Sequence, residues 1–220
     1  ICASEQAAIV DHEIYKEFKE EISRFKVYWV NEAEKAKLEK YMFGAEAYSD
    51  KVNEVGTVNA NVVGKNATWI AEQAGFKVPE DTQILLAECK EVGPNEPLTR
   101  EKLSPVLAVL KATSTEDGIA TSAAMGEFNG LGHSAAIHTQ NHDISVEFGL
   151  KCKAIRVIEN APSTFGGIGS VYNAFIPSLT LGCGSYGHNS VSNNVSAVNL
   201  LNIKRIGRRN NNMQSVSYTH

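Results

Sequence analysis

The spacing of hydrophobic and polar residues alternates between a strand-like and a helix-like period along much of the chain. Residues 7–10 (AAIV) form a short apolar run that predicts a strand. Asp11 is expected to cap a helix over residues 14–25, where apolar residues recur at helical spacing. Two further helices are predicted over residues 31–43 and 66–76, with a glycine at or next to the end of each. The first part of the chain is therefore expected to mix strands and helices.

After a strand-like stretch over residues 82–92, the alternation becomes regular from Leu103. Strands are predicted over residues 82–92, 105–112, 134–139 and 154–160, and helices over residues 114–125 and 141–150. Ser114 and Asp117 are placed to form a capping box at the start of the first of these helices. Strands that are separated by helices pair in parallel through right-handed crossovers. The expected fold class is α/β, with a mostly parallel sheet flanked by helices and continuous from residue 103 to residue 160.

The character of the chain changes after Asn160. Residues 160–173 and 177–202 are rich in glycine, serine and asparagine, which predicts loops. Long loops in a compact domain tend to be functional. The glycines around Cys183 remove Cβ atoms, so this backbone could approach a ligand closely. The C-terminal third is therefore the part in which we expect function.

Composition and charge exclude several classes of protein. The chain has 220 residues, 43% of them hydrophobic and 21% charged, and a formal net charge of -4. This is ordinary globular composition, and its mildly acidic balance gives no reason to expect a nucleic-acid partner. No apolar stretch is long enough to suggest a membrane span. The four cysteines are far apart with no C-x-x-C pair, which favours a reducing, cytoplasmic setting.

Few residues suggest chemistry on pattern alone. His133 lies between a glycine turn and a strand, at the lip of the predicted sheet, where ligands gather in open α/β folds. A metal site with His138 is rejected, because two residues five apart on a strand point to opposite faces. Glu101 precedes a strand and, taken alone, reads as an exposed turn residue. Pattern alone therefore reaches only an α/β domain with a functional C-terminal third.

Several segments, in this order, resemble a known family. They are CASEQAAIVDHEIYKEF, EKLSPVLAVL, NGLGHSAAIHT, NAPSTFGGIGSVYN and PSLTLGCGSYGHNSVSNNVSAVNLLNIKR. Together they resemble the CoA-acylating aldehyde dehydrogenase half of bifunctional aldehyde-alcohol dehydrogenases. The resemblance implies an aldehyde dehydrogenase catalytic domain over residues 1–214 and a tail over residues 215–220. It also implies that a nucleotide-binding domain precedes this chain in the family and that an alcohol dehydrogenase domain follows it, so that these residues alone are expected to be inactive.

The resemblance assigns roles to four residues. Cys2 is expected to be the nucleophile that carries the acyl group as a thioester. His133 resembles the histidine that handles protons around the thiol and CoA steps. Glu101 matches a glutamate that binds the nicotinamide ribose, and Leu181 matches an apolar wall near the cofactor. The implied cofactor is NAD, with coenzyme A as co-substrate and acetaldehyde or acetyl-CoA as the other substrate.

Two alternatives remain open. The chain could belong to a separate CoA-acylating aldehyde dehydrogenase of propanal or ethanolamine pathways. It could also be a non-catalytic assembly module, because enzymes of this family form homo-oligomers or filaments. The sequence leaves the acyl chain length and the choice between NAD and NADP open.

Overall fold

The computed structural model describes residues 1–44 and 58–209. Four strands form a sheet with the order β1-β4-β3-β2, in which every neighbouring pair is parallel. The strands are β1 (Ala7–Asp11), β2 (Val27–Trp29), β3 (Ile84–Glu88) and β4 (Val106–Ala112). The predicted parallel α/β architecture is confirmed. The predicted tail at residues 215–220 lies outside the described residues.

Helices cover both faces of this sheet. Leu85 of β3 and Ala108 of β4 face a core built with α2 and α3, while Leu86 and Val109 face the opposite side, against α1. Alternate residues of one strand thus enter two different cores, as the strand period requires. The helices are α1 (Tyr15–Ile22), α2 (Glu32–Phe43) and α3 (Ala67–Ala74).

A separate ladder carries the second half of the chain. It consists of β5 (Gly132–Ile137) and β6 (Ala154–Glu159), which run parallel, with Ser134 opposite Arg156. Ile119 and Phe148 form a small core beneath this ladder. The helices here are α4 (Thr115–Asn129), α5 (His142–Lys151) and α6 (Ser163–Ile168).

The prediction of one continuous sheet over residues 103–160 is wrong. β4 is an inner strand whose two edges are already paired with β1 and β3. Because β4 has no edge left, β5 cannot pair beside it and instead forms its own ladder with β6. The predicted alternation of helices and strands over these residues is confirmed, but the predicted strand pairing is wrong.

Three local predictions also need correction. Asp11 is the last residue of β1, and its carboxylate accepts from the amide of Glu13 at 2.9 Å, whereas α1 begins after Ile14. Residues 160–173, predicted as loop, contain α6. At α4, Ser114 Oγ accepts a hydrogen bond from the amide of Asp117 at 3.2 Å. The Asp117 carboxylate accepts from the amide of Thr113 and not from that of Ser114, so only half of the capping box forms.

The glycines of α6 explain why this helix could not be read from the sequence. A Cβ on Gly166 would lie 2.4 Å from the Ile158 side chain, and one on Gly167 would lie 3.2 Å from the Cβ of Ala3. Glycine lowers helix propensity, but here it lets α6 pack against β6 and against the segment that precedes β1. Tertiary packing therefore outweighs the local preference for a loop.

Candidate active site

Cys2 lies in a short segment before β1 that the rest of the chain holds at several points. The amide of Ser4 donates to the carbonyl of Ile1 at 3.0 Å, closing a turn around Cys2. Glu5 Oε1 accepts from the amide of Ser163 at 2.6 Å, which ties the segment to the start of α6. The thiol itself is exposed. A reactive group on a fixed, accessible turn is well placed to attack a substrate.

Three of the four predicted site residues line one cavity. Cys2, Glu101 and His133 all face a cavity of about 390 Å³ between the amino end of β1 and the β5-β6 ladder. These residues come from three distant parts of the chain, and only the folded arrangement brings them together. A cavity of this size suits a small ligand or part of a larger one.

Cys2 also lines a second cavity. This one has a volume of about 820 Å³, and its wall includes Ile84, Leu103 and Pro105. Leu103 adopts a φ of 46°, a left-handed conformation that is strained for leucine. The thiol therefore lies between two cavities, and only the smaller one is also lined by His133 and Glu101.

His133 is the second residue of β5, so it lies at the amino end of the strand. The expected position at the ligand-gathering lip, the carboxyl end of a sheet, is therefore corrected. Its Nδ1 lies 2.9 Å from Ser134 Oγ. Burial lowers the pKa of His133, and the nearby Arg156 guanidinium lowers this pKa further. The neutral imidazole is thus favoured near pH 7, and a neutral imidazole can accept a proton.

Glu101 is exposed on the loop that follows the turn at Pro97–Thr99. Its amide donates to Asn129 Oδ1, and Asn129 Nδ2 donates to the carbonyls of Thr99 at 2.8 Å and Met125 at 2.9 Å. The end of α4 therefore holds the loop while the Glu101 carboxylate remains accessible. An accessible carboxylate on a fixed loop can accept hydrogen bonds from hydroxyl groups.

Leu181 is not brought into the shared cavity. It is half-buried, pairs through a single bridge with Asn194, and lies near Gly167, where an added Cβ would be 3.8 Å from Leu181 Cδ1. A Cβ on Gly167 would also lie 3.2 Å from the Cβ of Ala3, so Leu181 and the Cys2 segment both approach the same glycine. The structure therefore places Leu181 close to the site but outside the lining of both cavities described above.

The glycines around Cys183 serve packing within the protein. A Cβ on Gly182 would lie 2.3 Å from the carbonyl oxygen of Val191, and one on Gly187 would lie 2.3 Å from the Cβ of Cys183. Gly132 is equally close, because a Cβ there would lie 2.2 Å from the carbonyl oxygen of Cys183. The close approach predicted toward a ligand is instead made to neighbouring backbone. The turn at residues 182–187 is thereby pressed against the start of β5, next to His133.

Two buried cations near the site were not found from the sequence. Lys102 is fully buried and donates from Nζ to the carbonyls of Gln6, Leu98 and Arg100 at 2.7–2.8 Å. Arg156 is 2% exposed and binds the carbonyl of Gly182. Lysine and arginine are usually exposed, so nothing in the local sequence distinguishes these two from surface residues.

The described residues hold neither a cluster of metal ligands nor a helix that could cross a membrane. Within residues 1–44 and 58–209, no group of three or more histidine, cysteine, aspartate or glutamate side chains is arranged to hold a metal ion. Among the helices of the same residues, none combines the length and hydropathy that a bilayer span requires.

Comparison with known proteins identifies the relatives of this chain. No family model matches it. It is 67% identical over 215 residues to the aldehyde-alcohol dehydrogenase of Streptococcus pneumoniae serotype 4, covering 97% of this chain and 24% of that protein. It is 39% identical over 217 residues to the bifunctional aldehyde-alcohol dehydrogenase AdhE of Escherichia coli K12, covering 97% of this chain and 23% of that protein.

A solved structure agrees with these relatives. The fold matches the crystal structure of an acetylating aldehyde dehydrogenase from Geobacillus thermoglucosidasius with a TM-score of 0.85 and 39% identity, covering 98% of this chain and 45% of that one. This chain belongs to the acetylating aldehyde dehydrogenase family. It spans about a quarter of the length of the curated aldehyde-alcohol dehydrogenases it matches. Because the same residues match both kinds of protein, they correspond to the aldehyde dehydrogenase part that the two share.

Proposed function

We propose that this chain carries the thiol chemistry of an NAD-dependent, CoA-acylating aldehyde dehydrogenase that interconverts acetaldehyde and acetyl-CoA. The observation that carries the proposal is the single cavity lined by Cys2, His133 and Glu101. A nucleophile, a proton acceptor and a hydrogen-bonding carboxylate face the same space there. The first two are the groups that acyl transfer through a covalent thioester requires, and the third is suited to accept hydrogen bonds from the ribose hydroxyls of a cofactor.

Cys2 is proposed as the nucleophile. Its thiolate adds to the carbonyl carbon of an aldehyde, forming a carbon–sulfur bond, and the product after oxidation is an acyl group held on Sγ as a thioester. In the opposite direction the thiolate attacks acetyl-CoA, and the bond from the acyl carbon to the CoA sulfur breaks. One thioester replaces another, so the exchange is close to balanced in free energy and can run both ways.

His133 is proposed as the proton acceptor for the CoA thiol. Its imidazole is half-buried, and its lowered pKa favours the neutral form that can take a proton. A thiol is a poor nucleophile until it loses its proton, so a base at this position would speed the attack of CoA on acyl-Cys2. The same imidazole, once protonated, can return the proton to a departing CoA thiolate.

Glu101 is proposed to hold a nicotinamide cofactor through the ribose hydroxyls. The fit rests on an exposed carboxylate that shares the cavity with Cys2 and on the loop that Asn129 holds in place. When bound, the cofactor supplies the hydride acceptor for aldehyde oxidation. NAD is proposed over NADP only on the resemblance. The role of Leu181 as an apolar wall stays a prediction, because it lies outside this cavity.

The half-reaction with acetyl-CoA tests the proposal without a nicotinamide cofactor. The chain is incubated with acetyl-CoA, and acetylation of each cysteine-containing peptide is followed by mass spectrometry. Acetyl should appear on Cys2 first. A Cys2→Ser variant should lose this labelling by roughly 10⁴-fold, since a hydroxyl is a far poorer nucleophile near neutral pH.

Two control variants sharpen the test. Cys183→Ser removes the other accessible thiol and should leave labelling of Cys2 unchanged. His133→Ala should slow transfer from acetyl-Cys2 to free CoA by roughly 10²–10⁴-fold, the usual range for a positioned base. Labelling that appears mainly on another cysteine, or that survives in Cys2→Ser, would show that Cys2 is not the nucleophile.

The proposal extends to the domain, the compartment and the assembly of the enzyme. Residues 1–214 are proposed as the catalytic domain. The buried, unpaired thiols of Cys89 and Cys152 support a reducing compartment such as the cytoplasm. Assembly into a homo-oligomer or filament is proposed because apolar side chains are exposed near the end of the described chain. They are Val198, Leu200, Leu201, Ile203 and Ile206.

A further inference from the structure

Arg156 is a buried cation that has no carboxylate partner among the residues that the structure describes. Its side chain lies on β6 and is 2% exposed. Both terminal nitrogens donate to the carbonyl of Gly182, Nη1 at 2.7 Å. Nε is buried and has no hydrogen-bond partner among the residues that the structure describes. None of the ion pairs found within residues 1–44 and 58–209 includes Arg156.

Such an arrangement is costly for stability. Moving a guanidinium out of water carries a large desolvation cost, and one carbonyl cannot offset that cost as a carboxylate could. A neutral residue of similar volume would fill the space more favourably. The placement of Arg156 is therefore explained more readily by what its charge and its hydrogen bonds do to neighbouring groups.

Those neighbours belong to the proposed site. The ladder register sets Arg156 opposite Ser134, whose Oγ lies 2.9 Å from His133 Nδ1. On its other side, Arg156 holds Gly182, the first residue of the turn that packs against Gly132. One side chain thus connects the glycine-rich turn to the strand that carries His133.

We propose that Arg156 is a positioning residue for the thiol chemistry, because it fixes the turn at residues 182–187 against β5 and places a positive charge behind the His133 imidazole. This inference rests on the proposed role of His133. Two cations close together repel each other, so the charge of Arg156 opposes protonation of His133. The imidazole is kept neutral and ready to accept the proton of a thiol. Arg156 acts through His133 and the turn, without touching the substrate.

Other charged and titratable groups also surround His133. A carboxylate at this cavity favours the imidazolium, whereas a further cation opposes it. Burial gives the largest contribution, and among charges the Arg156 guanidinium is the one that shifts the pKa of His133 downward. The groups that line the same cavity are Cys2, Glu5, Glu101, Cys152 and Lys153, and Cys183 lies on the adjoining turn.

A histidine titration on the 220-residue chain tests the charge. The His133 ring signal is assigned in an NMR spectrum by its loss in His133→Gln and is then followed against pH. In Arg156→Met the midpoint should rise by about 0.5 to 1 pH unit, because a nearby positive charge has been removed. In Arg156→Lys, which keeps the charge, it should stay near the native value. An unchanged midpoint in a folded Arg156→Met variant would overturn the electrostatic part.

Hydrogen exchange tests the positioning part and remains informative if Arg156→Met fails to fold. Lysine cannot reproduce the two-pronged contact with the Gly182 carbonyl. Backbone amides of the 182–187 turn should therefore exchange at least roughly 10-fold faster in Arg156→Lys, with α5 unaffected as an internal reference. Native exchange rates in the turn would overturn this part. If His133→Gln leaves transfer to CoA at the native rate, the proposed function of His133 fails, while the midpoint shift in Arg156→Met still reports on Arg156.

Discussion

The ammonium group of Lys102 donates a hydrogen bond of 2.8 Å to the main-chain carbonyl of Gln6, joining residues 96 positions apart. Gln6 returns the contact, because its side-chain oxygen accepts from the amides of Lys102 at 2.8 Å and Leu103 at 3.2 Å. The segment that carries Cys2 and the loop that carries Glu101 are thus tied at one point. This tie also holds the strained backbone of Leu103.

The Lys102 tie predicts a large loss of stability in Lys102→Met. Three carbonyl acceptors would lose their donor, and each buried unsatisfied group costs about 1–3 kcal/mol. Relief from burying a charge offsets part of this cost. We expect the free energy of unfolding to fall by about 2–4 kcal/mol in urea titrations. Lys77→Met, at an exposed position after α3, is the matched control and should change stability by less than about 0.5 kcal/mol.

The same residue predicts a pH dependence of stability. Burial lowers the pKa of Lys102 to about 7, from an ordinary value of 10.5. Between these values the unfolded chain holds a proton that the folded chain has released, so stability rises with pH there, by up to about 1.4 kcal/mol per pH unit. The stability difference between the native chain and Lys102→Met should therefore widen from pH 7 to pH 9. A difference that is constant across this range would contradict the assignment.

Gly132 predicts a sharp steric effect. An alanine there would place its Cβ 2.2 Å from the carbonyl oxygen of Cys183, at a φ of 99°. We expect Gly132→Ala to lower the melting temperature, with a loss of more than about 2 kcal/mol.

The control is Gly126→Ala, in the interior of α4, where an added Cβ has no atom within 4 Å. Alanine favours helix over glycine, so this variant should gain about 0.5–1 kcal/mol. Equal effects of the two substitutions would mean that the turn does not press on β5 as described.

The four cysteines should react with iodoacetamide in a fixed order. Cys2 is exposed and Cys183 is partly exposed, whereas Cys89 and Cys152 are buried. Burial also raises the pKa of Cys89 to about 12 and that of Cys152 to about 11, so neither forms much thiolate at pH 8. Peptide mapping of the native chain should show Cys2 labelled first, Cys183 second, and the other two only after unfolding. Early labelling of Cys89 would be inconsistent with its position in the core.

Glu101→Gln should weaken nicotinamide cofactor use in an enzyme that contains this chain and a cofactor-binding region. The amide keeps the shape but loses the charge that strengthens hydrogen bonds to ribose hydroxyls. We expect kcat/KM for the cofactor to fall by the equivalent of about 1–3 kcal/mol. Acetylation of Cys2 by acetyl-CoA should be unchanged, since that half-reaction needs no cofactor. Unchanged kinetics with the cofactor would leave Glu101 as a surface residue.

Much of the secondary structure could be predicted from the chain alone. Leu85 and Val109 lie in apolar runs that predict buried strands. The glycines at residues 44 and 75 mark the ends of α2 and α3. β2 is not predicted because it has only three residues, all half-buried, which is too short a stretch to show the alternation of a strand. α6 is not predicted because it contains two glycines, which usually indicate a loop. Here the glycines are needed because a Cβ at these positions would crowd Ile158 and Ala3. The local sequence pattern indicates which residues are buried, but it does not indicate which residues they pack against.

The resemblance of the sequence to a known family identified the candidate residues Cys2, His133 and Glu101. Only the tertiary structure determined that these three share a cavity and that Leu181 lies outside its lining. The order β1-β4-β3-β2 and the separate β5-β6 ladder also required the structure, because strand pairing depends on which edges are free. Lys102 and Arg156 are ordinary charged residues in the sequence. Their role arises from burial, where a charge out of water acts strongly on the few groups around it.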